Sequence, residues 1–428
     1  MTRTFVSFPI TDTNYFKKQL LNWTRQLEVC CFLDNNNYSF GYNTYQCIVA
    51  AGVNRQIVAS AGNALNQLQQ FFFQEKDWIF GHLGYDLKNE SEQLQSSHPD
   101  SIAFPDLFFF VPTFVVILKD KEILIGGSAL STVQTVYEEI CSTATATIIK
   151  QLPVQLKSRF TKKEYISTIQ KLKQHILRGD CYEINFCQEF FLKGKLPDPL
   201  QVYISLSDIS PNPFAAFYKI NNKYLCCASP ERFLKKIGNK IISQPIKGTG
   251  ARDITNKEKD HLNKQDLLLS IKERTENVMI VDLVRNDLSK VSEEGSVNVE
   301  ELYAIYSFPQ VYQMVSTISG IIKRDITLID AIKAVFPMGS MTGAPKKRVM
   351  ELIEQYEKTK RGLFSGAVGY ITPDEDFDFN VVIRSVLFNL DQNYLSYQVG
   401  SAITFNSDPK KEYEECLLKA AAIKAVLS

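Results

Sequence analysis

Long apolar runs are missing from this chain of 428 residues. The most apolar segment, residues 107–118, has 12 residues and contains Pro112, whereas a membrane-spanning helix needs about 20. The first residues also lack the apolar core of a signal peptide. We therefore expect no membrane partner and a cytoplasmic location, and we interpret residues 107–118 as a pair of buried strands.

An excess of charge of either sign is also missing. The sequence has 48 lysine and arginine residues against 47 aspartate and glutamate residues, which leaves a net charge of +1. Nucleic-acid-binding surfaces typically combine basic stripes with aromatic residues, and the sequence has no such stripe. We therefore expect no nucleic-acid partner.

Histidine is scarce, and the cysteines are not spaced for metal binding. The chain has 4 histidines and 9 cysteines, and no two cysteines form a Cys-x-x-Cys pair. A zinc site is therefore not expected. Scattered cysteines of this kind are typical of reduced, buried thiols in a cytoplasmic protein.

Apolar residues, by contrast, are plentiful. They make up 45% of the chain, which is enough for a large core. Thr161 and Glu164 fit a capping box, which predicts a helix that ends at Gly179. Strand and helix patterns are mixed without β-α-β alternation, which indicates an α+β fold. Strand-like runs occur early in the chain at 29–33 and 47–50. The further predicted strands are 181–188, 224–228, 240–245, 366–371, 381–390 and 394–400, and the further predicted helices are 256–288, 328–335, 345–356 and 411–426.

Two pairs of glutamates lie on predicted helices. Glu273 and Glu276 are three residues apart, as are Glu412 and Glu415, so the members of each pair share a helix face. If the two faces met, charge repulsion would require a cation among the carboxylates, and Mg2+ suits a site built from oxygen ligands. A solvated helix face remains the alternative, because residues 351–354 carry the same spacing.

Five short segments occur in a fixed order and carry a resemblance. They are 229–233 (Ser-Pro-Glu-Arg-Phe), 244–249 (Gln-Pro-Ile-Lys-Gly-Thr), 282–287 (Asp-Leu-Val-Arg-Asn-Asp), 340–346 (Ser-Met-Thr-Gly-Ala-Pro-Lys) and 412–415 (Glu-Tyr-Glu-Glu). Together they resemble the chorismate-utilising enzymes, strongly from about Thr161 to the end and more thinly before it. Lys247, which could otherwise be an ordinary solvated cation, makes the aminodeoxychorismate synthases the nearest branch.

The resemblance implies a large two-lobed antiparallel β-sandwich with surrounding helices, of the anthranilate synthase component I type. Residues 1–150 would form an amino-terminal lobe and residues 151–428 the chorismate-binding catalytic region, within one intertwined globular unit. The active site is expected between the lobes. In some relatives the amino-terminal lobe binds tryptophan.

The resemblance also assigns roles to individual residues. Glu276 and Glu415 are the implied direct Mg2+ ligands, with Glu273 and Glu412 behind them. Arg384, whose planar fork suits a carboxylate, and Lys419 would hold the enolpyruvyl carboxylate of chorismate. The other implied substrate contacts are Thr249, Ser340, Gly343, Gly400 and Ser401.

Two residues are expected to carry the chemistry. Glu231 is the implied general acid for the C4 hydroxyl, unless it forms a salt bridge with Arg232 instead. Lys247 is the implied nucleophile at C2, and partial burial is expected to lower its pKa. Position 183 holds no lysine, which disfavours isochorismate and salicylate synthesis. The remaining alternatives are anthranilate synthase component I, which has alanine at position 247, and a catalytically silent chorismate-binding subunit.

The sequence departs from the family at three positions, and more mildly at Phe364, where tyrosine or tryptophan is usual. Glu183 stands where glutamine is usual, Gln313 replaces a histidine that is linked with enolpyruvyl elimination, and Ala402 replaces a glycine. The chain also has no Gly-x-Cys-x-Gly turn, which a glutamine amidotransferase needs for its nucleophile. A separate amidotransferase subunit is therefore expected to supply ammonia.

Overall fold

Two large antiparallel sheets form the framework of the chain in a computed structural model, which describes residues 3–38, 41–145, 153–308 and 311–428. The strands are β1 (Thr4–Pro9), β2 (Val29–Asp34), β3 (Cys47–Ala51), β4 (Arg55–Ala59), β5 (Ile79–Leu83), β6 (Leu107–Val111), β7 (Phe114–Lys119), β8 (Glu122–Gly127), β9 (Lys157–Ser158), β10 (Glu183–Lys193), β11 (Phe214–Ile220), β12 (Lys223–Ser229), β13 (Arg232–Ile237), β14 (Lys240–Gln244), β15 (Ile246–Ala251), β16 (Asn298–Ser307), β17 (Val311–Ile321), β18 (Gly343–Ala344), β19 (Ala367–Ile371), β20 (Phe377–Asn380), β21 (Ser385–Asn389) and β22 (Tyr394–Ile403).

Helices cover the sheets. They are α1 (Thr13–Trp23), α2 (Ala64–Gln74), α3 (Lys88–Glu92), α4 (Leu130–Ser142), α5 (Lys162–Leu177), α6 (Pro199–Ile209), α7 (Lys257–Leu269), α8 (Ile271–Ser289), α9 (Leu328–Val335), α10 (Lys346–Tyr356), α11 (Pro409–Lys419) and α12 (Ala421–Leu427). Among the described residues, none of these helices combines the length and the apolarity required to cross a bilayer.

Both sheets combine early and late strands of the chain. The 12-stranded sheet has the order β1-β8-β7-β3-β2-β11-β12-β21-β22-β10-β18, with β9 beside β10. The 10-stranded sheet has the order β15-β17-β14-β13-β20-β19-β5-β6-β4, with β16 beside β17. Strands from residues 1–150 and from residues 151–428 therefore occur in each sheet.

The residues of β3 alternate between two cores. Ile48 and Ala50 join a cluster that also contains Phe80 and Leu234 of the 10-stranded sheet. Their neighbours Cys47 and Val49 join a second cluster, which contains residues of α1 and α5. Because successive strand residues point to opposite faces, the 12-stranded sheet packs on the other sheet with one face and on helices with the other.

This architecture confirms the expected α+β class and the two-lobed antiparallel β-sandwich. The capping box of Thr161 and Glu164 is present at the start of α5. The two strands of residues 107–118 are buried, but β6 and β7 belong to different sheets. The described cysteines are all free, and Cys141 alone among them is exposed.

Three predicted elements have different bounds in the structure. The predicted helix 256–288 is interrupted at Ser270, whose hydroxyl caps α8 by accepting from the Glu273 N–H at 3.3 Å. The predicted helix 411–426 begins earlier, at Pro409, and is interrupted at Ala420. The predicted strand 381–390 begins only at Ser385, because Arg384 has a left-handed backbone conformation with φ +50°.

Candidate active site

Lys247 lies in an irregular part of β15. The pairing of β15 with β17 shifts register between Ile246 and Thr249, and Gly248 has φ +96°. Such bulges redirect side chains and are common next to active sites. A Cβ on Gly248 would also lie 3.0 Å from a Glu273 carboxylate oxygen, so glycine permits both the turn of the backbone and the close approach of α8.

The Lys247 side chain reaches across to the opposite sheet. Its Nζ donates to Glu183 Oε1 on β10 at 2.6 Å, and both residues are buried. Burial alone would lower the pKa of Lys247, but Glu183, Glu276 and Glu231 together raise it above its usual value. The expected lowering of this pKa is therefore wrong, and the resting lysine is an ammonium group.

Glu231 lies in the turn between β12 and β13, and it does not pair with Arg232. Instead, the Arg232 guanidinium donates to Asp378 at 2.9 Å. Ser340 Oγ donates to Glu231 Oε1 at 2.5 Å. Burial raises the pKa of Glu231 to about 7, against the opposing effects of Ser340 and Lys247. A carboxyl group with this pKa can hold and release a proton near neutral pH, as a general acid must.

The two glutamate pairs face each other from α8 and α11. Lys272 Nζ lies 3.8 Å from Glu276, 3.6 Å from Glu412 and 4.0 Å from Glu415. Lys272 thus lies among glutamates of both predicted pairs. Within the described residues, no three acidic, histidine or cysteine side chains are arranged as a ready-made metal cluster.

The donor atoms nevertheless fit a further cation. Glu276 Oε1 and Glu412 Oε2 are buried and accept no hydrogen bond from the described residues. Burial raises the pKa of Glu276 to about 7, with Lys247 and Lys272 opposing it. Buried carboxylate oxygens without donors are costly unless a cation or a proton neutralises them, and an all-oxygen set suits Mg2+.

A second cationic group lies near Glu231. Burial lowers the pKa of Arg384 to about 10, against the effect of Glu231, so the guanidinium stays charged at neutral pH. A guanidinium can only donate hydrogen bonds, so the Gln313 amide is assigned with its oxygen facing Arg384. In this orientation the oxygen accepts from the two terminal nitrogens of Arg384 at 2.8 and 3.2 Å. Lys419 lies on α11 and donates to Glu415 at 2.9 Å and to the Gly400 carbonyl at 3.2 Å.

The glycines of the site are required by close backbone approach. Gly343, with φ +136°, pairs with Ile184, and a Cβ there would lie 2.1 Å from the Glu183 carbonyl oxygen. A Cβ on Gly400 would lie 2.2 Å from the Phe186 carbonyl oxygen. Ser401 is buried beside Gly400 in β22, which pairs with β10, whereas Thr249 is exposed on β15 opposite Gln313.

Two members of the site were missed as functional residues in the sequence. Glu183 was noted only as a departure, and Lys272 was seen only as part of a motif. A signal for Glu183 exists, because a carboxylate amid the apolar residues of a predicted strand needs a partner once it is buried. No comparable signal marks the position of Lys272 between the two pairs, since Glu412 and Glu415 lie on a helix more than a hundred residues later in the chain.

Residues 28–425 of the chain match the family described as chorismate binding enzyme. The chain belongs to this family. It is 32% identical over 361 residues to aminodeoxychorismate synthase component 1 of Bacillus subtilis, which covers 81% of this chain and 76% of that protein. It is 31% identical over 364 residues to anthranilate synthase component 1 of Thermus thermophilus, with 81% and 77% covered.

A plant relative is longer than this chain. The chloroplastic aminodeoxychorismate synthase of Arabidopsis thaliana is 38% identical over 389 residues, which cover 83% of this chain and 42% of that protein. The chain thus spans less than half the length of this relative.

Solved structures share the fold. Anthranilate synthase component I from Streptococcus pneumoniae matches with a TM-score of 0.79 and 24% identity, covering 91% of this chain and 95% of that one. A menaquinone-specific isochorismate synthase from Escherichia coli matches with a TM-score of 0.78 and 15% identity, covering 100% and 95%.

Proposed function

We propose that this chain is component I of an aminodeoxychorismate synthase. It would aminate chorismate at C4 to give 4-amino-4-deoxychorismate for 4-aminobenzoate and folate synthesis, with Mg2+ as cofactor and ammonia from a separate glutamine amidotransferase subunit. The observation that carries this proposal is the buried contact between Lys247 and Glu183, in the electrostatic reach of Glu231. It supports a site in which Lys247 would be the nucleophile, Glu183 the proton acceptor and Glu231 the proton donor.

The first half of the reaction forms a bond to the lysine. Lys247 passes one proton to Glu183, and the free amine attacks C2 of chorismate. The ring double bonds shift, and the C4–O bond breaks as Glu231 protonates the departing hydroxyl, which leaves as water. Glu183 is suited to the role of proton acceptor because its Oε1 already accepts a hydrogen bond from the nucleophilic nitrogen.

The second half restores the enzyme. Ammonia attacks C4, the double bonds shift back, and the bond between C2 and Lys247 breaks. The new amine gives a proton to Glu231, and Glu183 returns its proton to Lys247. The overall change is chorismate plus ammonia to 4-amino-4-deoxychorismate plus water, and the enolpyruvyl group stays in place.

The remaining charged groups would bind the two carboxylates of chorismate. Arg384 and Lys419 suit the enolpyruvyl carboxylate, because a guanidinium and an ammonium group both favour anions. Mg2+, held by Glu276 and Glu415 with Glu273 and Glu412 behind them, would supply the positive charge for the ring carboxylate. Lys272 would then have to move away from these glutamates.

Product analysis tests this proposal. The purified chain is incubated with chorismate, Mg2+ and ammonium, and the products are identified by mass spectrometry. We expect 4-amino-4-deoxychorismate. Anthranilate as the main product would indicate the anthranilate synthase alternative, and unchanged chorismate would indicate a silent chorismate-binding subunit.

A further inference from the structure

Two buried arginines of this chain are each neutralised by a carboxylate. Arg232 donates to Asp378 at 2.9 Å, and Arg361 donates to Glu357 at 2.7 Å. Arg384 differs, because it has no ion-pair partner among the described residues and its guanidinium meets an amide oxygen instead. An arginine without a paired anion in a partly buried position is suited to receive an anionic ligand.

Gln313 provides that amide. It lies on β17 of the 10-stranded sheet, at a position flanked by β15 and β16, and its side chain is fully buried. In the amide orientation that suits a donor-only guanidinium, its oxygen accepts from both terminal nitrogens of Arg384. A carbonyl oxygen can accept two hydrogen bonds, whereas a neutral imidazole offers one acceptor nitrogen. Glutamine therefore holds the guanidinium in place and leaves its charge intact.

The backbone of Arg384 is also fixed in position. Arg384 has φ +50°, a conformation that is uncommon outside glycine. Its carbonyl accepts from the Ala228 N–H at 3.3 Å, which connects it to β12. The side chain thus leaves the backbone from a fixed point and ends on Gln313.

We propose that Gln313 is a positioning residue, which orients Arg384 for a carboxylate of the substrate while leaving the guanidinium charge free for it. This inference rests on the proposed function, because it takes chorismate as the carboxylate-bearing ligand. It explains why an uncharged amide, and not a carboxylate, lies buried beside this arginine. A carboxylate at the same position would hold Arg384 equally well, but would neutralise it and compete with the substrate.

Two substitutions of Gln313 separate orientation from charge. Gln313→Met keeps the size and removes the acceptor, and we expect it to raise KM and the calorimetric Kd for chorismate about tenfold, with kcat within about threefold. Gln313→Glu keeps both hydrogen bonds and adds the competing charge, and we expect it to weaken binding about 100-fold. Gln188→Met, which removes a buried amide that bonds to Cys416, should leave KM within about threefold.

The order of the two variants decides the inference. A residue that only supports the fold would tolerate Glu better than Met, because Glu preserves the contacts. Binding by Gln313→Glu that equals wild type or exceeds that of Gln313→Met would therefore overturn the proposal. If Gln313→Met does not fold, Gln313→Asn, which withdraws the oxygen by one carbon, takes its place. Wild-type protein that neither binds nor consumes chorismate would instead contradict the proposed function.

Discussion

Lys247 and Glu183 form a buried ion pair that joins the two sheets, with 2.6 Å between Nζ and Oε1. The second oxygen of Glu183 is buried and has no hydrogen-bond partner in the described part of the chain. In the proposed mechanism Glu183 would take up the proton that the lysine must lose before it attacks the substrate. A glutamine at position 183 could accept the same hydrogen bond but could not take up the proton.

The first prediction concerns Glu183→Gln. Loss of this carboxylate lowers the pKa of Lys247 relative to wild type, since the largest effect that raises it is removed. The amine must then lose its proton to solvent, so kcat/KM near pH 7 should fall about 10- to 100-fold. The ratio of variant to wild-type kcat/KM should rise with pH, as measured over a pH series.

Glu189→Gln is a matched control on the same strand, where Glu189 pairs with Arg159 at 2.7 Å. It should leave the pH profile unchanged. A ratio of Glu183→Gln to wild-type activity that stays constant with pH would show that Glu183 does not take the proton.

The second prediction concerns the pH dependence of Glu231. A general acid acts in its protonated form, and the pKa of Glu231 is raised to about 7 by burial. Activity should therefore fall above about pH 7, by about tenfold per pH unit. In Glu231→Gln this loss with rising pH should disappear, at a rate about 100- to 10,000-fold lower.

Ser340→Ala provides an independent check. The Ser340 hydroxyl stabilises the ionised form of Glu231 through its 2.5 Å hydrogen bond. Its removal should raise the pKa of Glu231 and move the decline in activity to higher pH. A shift to lower pH, or none, would argue against Glu231 as the acid.

The third prediction concerns the metal. Glu276→Gln and Glu415→Gln should each raise the Mg2+ concentration for half-maximal activity at least about tenfold, because each removes a charged ligand. Glu351→Gln is the control, since Glu351 lies on α10 with the same spacing and pairs with Arg348 at 2.9 Å. Equal, small effects at all three positions would identify ordinary helix-surface glutamates.

The fourth prediction concerns the source of ammonia. None of the nine cysteines lies in a Gly-x-Cys-x-Gly turn, so the chain should turn over with ammonium and not with glutamine alone. Addition of a glutamine amidotransferase subunit should make turnover with glutamine possible. Glutamine-dependent turnover by the isolated chain would contradict this expectation.

Local patterns predicted much of the fold, and one missed boundary shows where they were not fully used. Ser270 and Glu273 have the same Ser/Thr-x-x-Glu spacing as Thr161 and Glu164. The predicted helix start uses the pattern at Thr161, whereas the pattern at Ser270 lies inside the predicted helix 256–288. The break at Ser270 matters, because it places Glu273 and Glu276 in the first turns of α8.

The site was harder to predict because its contacts join distant strands. The motifs indicated Lys247 and Glu231, but the contact of Lys247 with Glu183 spans 64 residues, and that of Gln313 with Arg384 joins two different elements. The sign of the pKa shift of Lys247 depends on three carboxylates from β10, α8 and the turn before β13. Burial could be expected from the sequence, whereas the arrangement of these carboxylates required the structure.

The central claim is that Lys247 attacks the substrate, and intact-protein mass spectrometry tests it most directly. The chain is mixed with chorismate and Mg2+ in the absence of ammonia, so that the second half of the reaction cannot proceed. We predict a protein mass increased by chorismate less one water, located at Lys247 by peptide mapping and absent in Lys247→Ala. An unmodified wild-type protein that still converts chorismate when ammonium is added, or Lys247→Ala with full activity, would contradict the account.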